Sequence, residues 1–208
     1  MQKPYSESCD QNKEPILSII EPIFSSCHEV LEIGSGTGQH AVYFAEKMPH
    51  LRWRCSDCEP YIIGINQWID GSGVANIVAP VRLDVSESEW PVASVDAIFT
   101  ANSIHIMHDK DVVNLMNGAG HLLNKGAHLV IYGPFNYGGS FTSASNESFE
   151  QWLKSRDPLS GIKDYEFIAG LASNNDLMLC EDYEMPANNR ILHFKKTLGK
   201  RTTKGVSY

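Results

Sequence analysis

Short apolar runs rich in Val, Ile and Leu alternate along this chain with stretches in which apolar residues return every three or four positions. The first pattern predicts buried strands, the second amphipathic helices. Strands are expected at Val30–Ile33, Leu51–Ser56, Ile77–Leu83, Val95–Thr100 and Ala127–Tyr132. Helices are expected at Gly38–Met48, which stops before Pro49, at Pro60–Ile69 and at Asp109–Leu123. Upstream, residues 1–12 read as irregular, and a helix opens at Pro15 with Ile16, Leu17, Ile19, Ile20 and Ile23 on one face, bent or ended at Pro22. Beyond the fifth strand come a Gly/Ser/Asn-rich loop over Gly133–Ser145 and helices at Glu147–Ser155 and Asp164–Ala172. Leu177–Glu184 and Ile191–Lys196 alternate apolar and polar around Met185–Asn189, a closing antiparallel hairpin. The whole is an α/β fold: a doubly wound, mostly parallel seven-stranded sheet with an antiparallel C-terminal hairpin.

The junction between the first strand and its helix carries the chemistry. Glu32-Ile33-Gly34-Ser35-Gly36-Thr37-Gly38-Gln39-His40 places three glycines at alternate positions. Such a turn lets a ligand lie against bare backbone at the positive end of a helix. A dinucleotide-binding turn, G-x-G-x-x-G, would need glycine at 39, where Gln39 stands. The pattern E-x-G-x-G-x-G instead resembles the first motif of class I S-adenosylmethionine (AdoMet) methyltransferases. The terminal hairpin is also unusual for a dehydrogenase and resembles the methyltransferase sheet, so the resemblance spans about residues 14–196.

That resemblance implies a set of cofactor residues, each at or just beyond a strand end. Gly34, Ser35, Gly36 and Gly38, with His40 beside them, would cradle the methionine half. Glu32 stands where the family keeps an acid that orders the turn; its alternative is a plain strand-end acid. Asp57 matches the acid that takes both ribose hydroxyls, with Glu59 as competitor. Asp84, with the backbone of Val85, matches the position that takes the adenine amino group. Asp84 could equally cap a turn in Asp84-Val85-Ser86-Glu87.

The methyl acceptor in this fold lies above the segment after the fourth strand, here Ala101-Asn102-Ser103-Ile104-His105-Ile106-Met107-His108. Asn102 is expected at both cofactor and acceptor. His105 is either a base for the acceptor's proton or a hydrogen-bonding wall residue. His108 reads as a surface residue or helix cap, and no metal site is expected. Tyr132 and the following Gly133-Pro134-Phe135-Asn136 should line the acceptor side. The loop to Asn146 is either a lid hinged at Gly138-Gly139 or an ordinary mobile loop. Asn188-Asn189 either supply left-handed turn geometry or reach the acceptor. The D/N-P-P-Y/F signature of enzymes that methylate nucleic-acid amino groups is missing after the fourth strand, and no cysteine stands there for attack on a pyrimidine.

Several phrases occurring together resemble a narrower group, methyltransferase-like 26: Asn12-Lys13-Glu14-Pro15-Ile16-Leu17, Gln39-His40, Ser56-Asp57, Asn102-Ser103-Ile104-His105, Tyr132-Gly133-Pro134-Phe135, Ser145-Asn146 and Met185-Pro186-Ala187-Asn188-Asn189. Membership would add Asn12 to the cofactor site, from an N-terminal segment covering it. The group tends to carry arginine before Asn12; Gln11 stands there, so an anion contact at that position is not carried over.

Charge narrows the acceptor. The formal net charge is −8, and Lys195, Lys196, Lys200, Arg201 and Lys204 cluster at the end of the chain. Without those five the remaining twelve Lys/Arg face 25 Asp/Glu, a balance of −13, which disfavours a nucleic-acid partner. Residues 197–208 read as a flexible basic tail on a domain spanning 1–196. The polar first residues lack a signal peptide's apolar segment, and no membrane-spanning run appears, so a cytoplasmic chain with reduced thiols is expected. Cys55-Ser56-Asp57-Cys58 is formally C-x-x-C: either a thiol pair activated by a helix start or two small residues at a strand end. The reading that follows is an AdoMet-dependent methyltransferase acting on a small molecule. Its rivals are an AdoMet-binding module without turnover, a protein methyltransferase and an NAD-dependent oxidoreductase.

Overall fold

A computed structural model describes residues 3–198 of the chain. In chain order the elements are α1 (Glu7–Phe24), β1 (Glu29–Ile33), α2 (Gln39–Lys47), β2 (Arg52–Asp57), α3 (Glu59–Asp70), β3 (Ile77–Arg82), β4 (Ala97–Ala101), α4 (Asp109–Leu122) and β5 (His128–Gly133). There follow β6 (Phe135–Asn136), α5 (Ala144–Arg156), β7 (Lys163–Asp164), α6 (Tyr165–Asn174), β8 (Leu177–Met185) and β9 (Asn189–Lys196). Seven strands form one sheet in the order β3-β2-β1-β4-β5-β9-β8. The first five are parallel, and β9 runs antiparallel to both β5 and β8. The expected doubly wound sheet with its closing hairpin is therefore present. Residues 199–208, most of the basic tail, lie outside the described residues. Among the described residues no helix is long and apolar enough to cross a membrane.

Strand alternation sorts the core onto two faces. Val30, Phe99 and Val130 join Ile16, Ile20 and Phe24 of α1 and Phe44 of α2 on one side. Leu31, Ile98 and Ile131 join Val112, Leu115 and Met116 of α4 and Ile168 of α6 on the other. Both faces of the central strands are covered, which is why they read as continuous apolar runs. One side chain fixes the end of α2: Asn76 Nδ2 donates to the carbonyls of Ala45, Met48 and Leu51 at 2.9, 3.2 and 2.8 Å. Asn76→Ala removes these bonds and should destabilise the chain by about 2 kcal/mol, read as a lower urea midpoint at unchanged slope.

Two local expectations are corrected. Helix α1 opens eight residues before Pro15, with Ser6 as its cap accepting from Cys9 N, and runs through both Pro15 and Pro22. Its apolar face begins only at Ile16 because the preceding turns lie over a cavity, not on the core, so their polar residues look irregular in sequence. The segment 133–145 is also less free than a mobile loop. Phe135–Asn136 pairs with Lys163–Asp164, Tyr137 donates to Asp182 Oδ2 at 2.7 Å, and Gly138 N donates to Glu166 Oε1 at 3.1 Å.

Candidate functional site

In the sheet order, β1 and β4 are neighbours although β2 follows β1 in sequence, so the order in which strands are added reverses between them. Open α/β sheets bind ligands in the crevice at such a point, beyond the carboxyl ends of the strands. A cavity of about 1310 Å³ lies there. Its walls come from the turn after β1, the ends of β2 and β3, the segment after β4, the end of β5, and the first turns of α1.

The glycine turn is built by close approach. Gly34 and Ser35 both donate N–H to the Ser56 carbonyl at 3.0 Å, which draws the turn against β2. At Gly34 φ is +71°, and a Cβ there would stand 2.5 Å from Ser103 Oγ. Glycine is thus required twice, by conformation and by space. Gly36 N donates to Asp57 Oδ2 at 2.8 Å, and Cys58 N donates to Asp57 Oδ1 at 2.7 Å. These bonds hold the Asp57 carboxylate at the cavity wall, while burial pushes its pKa up. Glu59, the competitor, is exposed, lies 4.0 Å from Arg82 and does not line the cavity.

Glu32 and Gly38 also lie away from the cavity wall. Gly38 ends the turn in left-handed geometry and packs a bare Cα on α3, where a Cβ would meet Ile65 and Trp68. Glu32 is buried beneath the turn and accepts from Trp53 Nε1 at 3.1 Å and Ser35 Oγ at 3.0 Å. Period-two alternation explains this: Glu32 points to the same face as Val30 and Phe99. Burial pushes its pKa up to about 7 against those two donors. Both residues therefore shape the turn from behind.

Asp84 lines the cavity, and its Oδ1 accepts from Ser86 N at 2.9 Å and Ser86 Oγ at 2.7 Å. The turn-capping reading is thus observed, those bonds hold the carboxyl below its usual range, and Val85 lines the wall beside it. From α1, Asn12 Oδ1 accepts from His40 Nε2 at 2.7 Å, and the Asn12 amide also bonds the Tyr132 hydroxyl. Burial lowers the His40 pKa to about 4, so the ring is neutral. This relay fastens α1 across the cavity to β5. The strap continues in Gln39 Nε2, which donates to Ser6 O at 3.2 Å, and Trp68 Nε1, which donates to Pro4 O at 2.6 Å.

Asn102, at φ +57°, donates its N–H to the Tyr132 carbonyl at 2.9 Å and sets the direction of the segment after β4. His105 follows, 5% exposed, with Nδ1 buried and without a hydrogen-bond partner among the described residues. Burial, reinforced by the charge of Lys163, lowers its pKa to about 4. His108 occupies the cap position of α4, lines the cavity and bonds Asp157 Oδ2 at 2.7 Å. At the end of β5 and just beyond it, Tyr132 and Pro134 line the cavity, whereas Gly133, Phe135 and Asn136 do not. Left-handed geometry in the hairpin turn falls on Ala187 and Asn188, while Asn189 is extended and reaches the wall. Asn146 joins the two ends of this side by donating to Thr142 Oγ1 at 2.8 Å and to the Asn188 carbonyl at 3.2 Å.

Of the cavity lining, sequence reasoning expected Asn12 from the N-terminal segment but missed that this segment is helical and brings Ser8, Cys9 and Gln11 with it, and missed the pair Phe149 and Trp152 on α5. The signal for the first was Ser6 followed by acids in a first helical turn; for the second, two aromatics three apart on an otherwise polar helix. The C-x-x-C pair has the opposite electrostatics to an activated thiol. Cys55 is buried, Cys58 is exposed and unbridged, and burial pushes both thiols up.

Crevice, glycine turn and sheet order together define the Rossmann-like fold of AdoMet-dependent methyltransferases. Similar solved structures include an O-methyltransferase family protein from Burkholderia thailandensis (TM-score 0.81, 13% identity, 93% of this chain and 58% of that one). Human N-acetylserotonin methyltransferase in complex with SAM matches at TM-score 0.77 and 14% identity over 92% of this chain and 53% of that one. An O-methyltransferase family 2 protein from Planctomyces limnophilus in complex with apigenin matches at TM-score 0.77 and 17% identity, over 89% and 56%. The chain spans little more than half the length of these proteins, and at such identities the likeness is one of fold. A family profile matches residues 3–196, and the chain belongs to that family, described as protein of unknown function DUF938.

Proposed function

We propose that this protein is an AdoMet-dependent methyltransferase acting on a small molecule, with residues 1–196 as one domain. The observation that carries the reading is the convergence of the Gly34–Gly36 turn, the Asp57 carboxylate, Asp84 with Val85, and His105 on one cavity. The residues present fit the cofactor: bare backbone for the methionine half, two carboxylates for the hydroxyls and amine of an adenosine, and an acidic wall for a cation. Asn12, Ser35, His40 and Asn102 complete the cofactor side; Glu32 and Gly38 hold the turn in shape. When bound, AdoMet supplies an electrophilic methyl group on a sulfonium. The chain aligns the acceptor with Asn102, His105 and Tyr132. The shared phrases from Asn12–Leu17 to Met185–Asn189 support grouping the chain with methyltransferase-like 26.

The test is calorimetric titration with AdoMet, S-adenosylhomocysteine and, as control, NAD. Binding of the first two without NAD, weakened at least roughly tenfold in Asp57→Ala, supports the reading. No adenosyl binding, with copurified ligand excluded by mass spectrometry, overturns it. Binding without turnover on any acceptor would favour the silent module.

His105 gives this reading a pH signature. An ordinary histidine would bend kcat/KM near its usual pKa of about 6.5. With a pKa of about 4, His105 stays neutral well below that. The expected kcat/KM profile is therefore flat from about pH 5.5 to 8, and a bend near 6.5 that disappears in His105→Asn would refute the assignment.

A further inference from the structure

The acceptor half of the cavity has a shape and a charge that name its ligand class. His105, Phe149 and Trp152 form a row of rings. The first two meet edge to face at 5.1 Å between centroids, and the last two stack at 5.7 Å with planes 15° apart. The row runs from the interior, where His105 is 5% exposed, to the cavity mouth, where Trp152 is 49% exposed. Ile106 and Met107 continue the apolar lining beside it. Asymmetric apolar surface of this kind, open at one end, suits a flat ring entering edge-on or stacked.

Charge restricts that ring further. The cavity carries the carboxylates of Asp57, Asp84 and Asp111, and among the described residues no lysine or arginine lines it. Two cations stand near the cavity without lining it. Lys163 is buried and bonded to Asp109 Oδ1 at 2.7 Å, and the Arg156 guanidinium lies over the Trp152 ring at 4.8 Å. His105 is neutral, and His108 is bonded to Asp157. A carboxylate, phosphate or sulfonate on the ligand would lose water and gain no countercharge from the side chains that line the cavity, a desolvation cost without return from the chain.

Resting on the methyltransferase reading, we infer that the acceptor is a planar aromatic small molecule bearing no anionic group. Asp111, in the first turn of α4 at the acceptor end, is the residue that turns anions away.

Two probes that differ in one charge test this: 2,3-dihydroxynaphthalene and its 6-sulfonate, titrated against the full chain by ligand-detected NMR, with and without S-adenosylhomocysteine. The diol should bind at least roughly tenfold more tightly than the sulfonate. Phe149→Ala and the more exposed Trp152→Ala should each weaken the diol roughly tenfold, with melting temperatures followed alongside. Asp111→Lys should close the gap between the probes, and Asp111→Asn should narrow it. Equal or tighter binding of the sulfonate by the unmodified chain overturns the inference, as does binding of neither probe, or diol binding indifferent to both aromatic variants. Calorimetry with S-adenosylhomocysteine on the same preparation separates the two readings. A chain that binds it yet prefers the sulfonate keeps the methyltransferase and loses this acceptor. A chain that binds the diol but no adenosyl compound keeps the slot and loses the methyltransferase.

Discussion

Replacing Gly34 by alanine should weaken S-adenosylhomocysteine binding by roughly a hundredfold. A left-handed non-glycine residue costs about 1–3 kcal/mol, and the new methyl would stand 2.5 Å from Ser103 Oγ. Both strains fall on the segment whose two N–H groups grip the Ser56 carbonyl. The turn can relieve them only by moving away from β2, which also pulls Gly36 N from Asp57. Calorimetry measures the loss. The double variant Gly34→Ala/Ser103→Gly removes the clash and leaves only the backbone strain, so it should recover roughly tenfold of the affinity. Failure of the double variant to recover anything would show that space at Ser103 is not what demands glycine.

The largest stability effect is expected at Glu32. Glu32→Ala strands the buried Trp53 Nε1 and leaves Ser35 Oγ only its long 3.5 Å bond to the residue 32 carbonyl, at about 1–3 kcal/mol each. A total near 3 kcal/mol is expected in urea unfolding at pH 7. Glu32→Gln keeps an acceptor oxygen for both donors and should lose far less. The pH dependence separates the two roles of this carboxyl. Its folded pKa of about 7 is above its unfolded value of 4.5, so the folded chain binds the extra proton. Its contribution is fully present below about pH 4.5 and is lost as pH rises toward 7. The glutamine variant has no such proton, so wild type minus variant should fall over that interval. A difference that stayed constant from pH 4.5 to 7 would mean that Glu32 is ionised throughout. The buried neutral histidines act in the opposite direction and are common to both chains, so they cancel.

The architecture was legible because its information is local. Apolar runs bounded by Gly, Pro and Asp mark strands that are covered on both faces, and the observed strand ends fall close to the expected ones. The glycine spacing and Asp57 were legible for the same reason, since each marks the end of a strand. Other features depend on what packs where. Glu32 reads as an acid that orders the turn, but its buried place against Trp53 follows only from the strand's alternation. The first turns of α1 look irregular because they cover a cavity and carry no apolar stripe. Pro15, an ordinary first helical residue, stands in mid-helix because Ser6 had already capped the start. Phe149 and Trp152 become a ring row only when α5 is brought over the segment after β4, a contact between residues some forty positions apart.

The cavity wall runs from Pro4 to Asn189, and β9, which closes it, lies in the sheet between β5 and β8. During synthesis the glycine turn, Asp57 and Asp84 leave the ribosome long before that strand exists. Until residues 188–196 arrive, β5 has an open edge and Asn146 lacks the Asn188 carbonyl. A cofactor held by this wall would therefore stabilise only a chain in which β9 is in place. Nascent chains and fragments ending before Asn189 should melt at the same temperature with or without S-adenosylhomocysteine, which makes ligand-induced thermal protection a readout of the docking of β9 on β5.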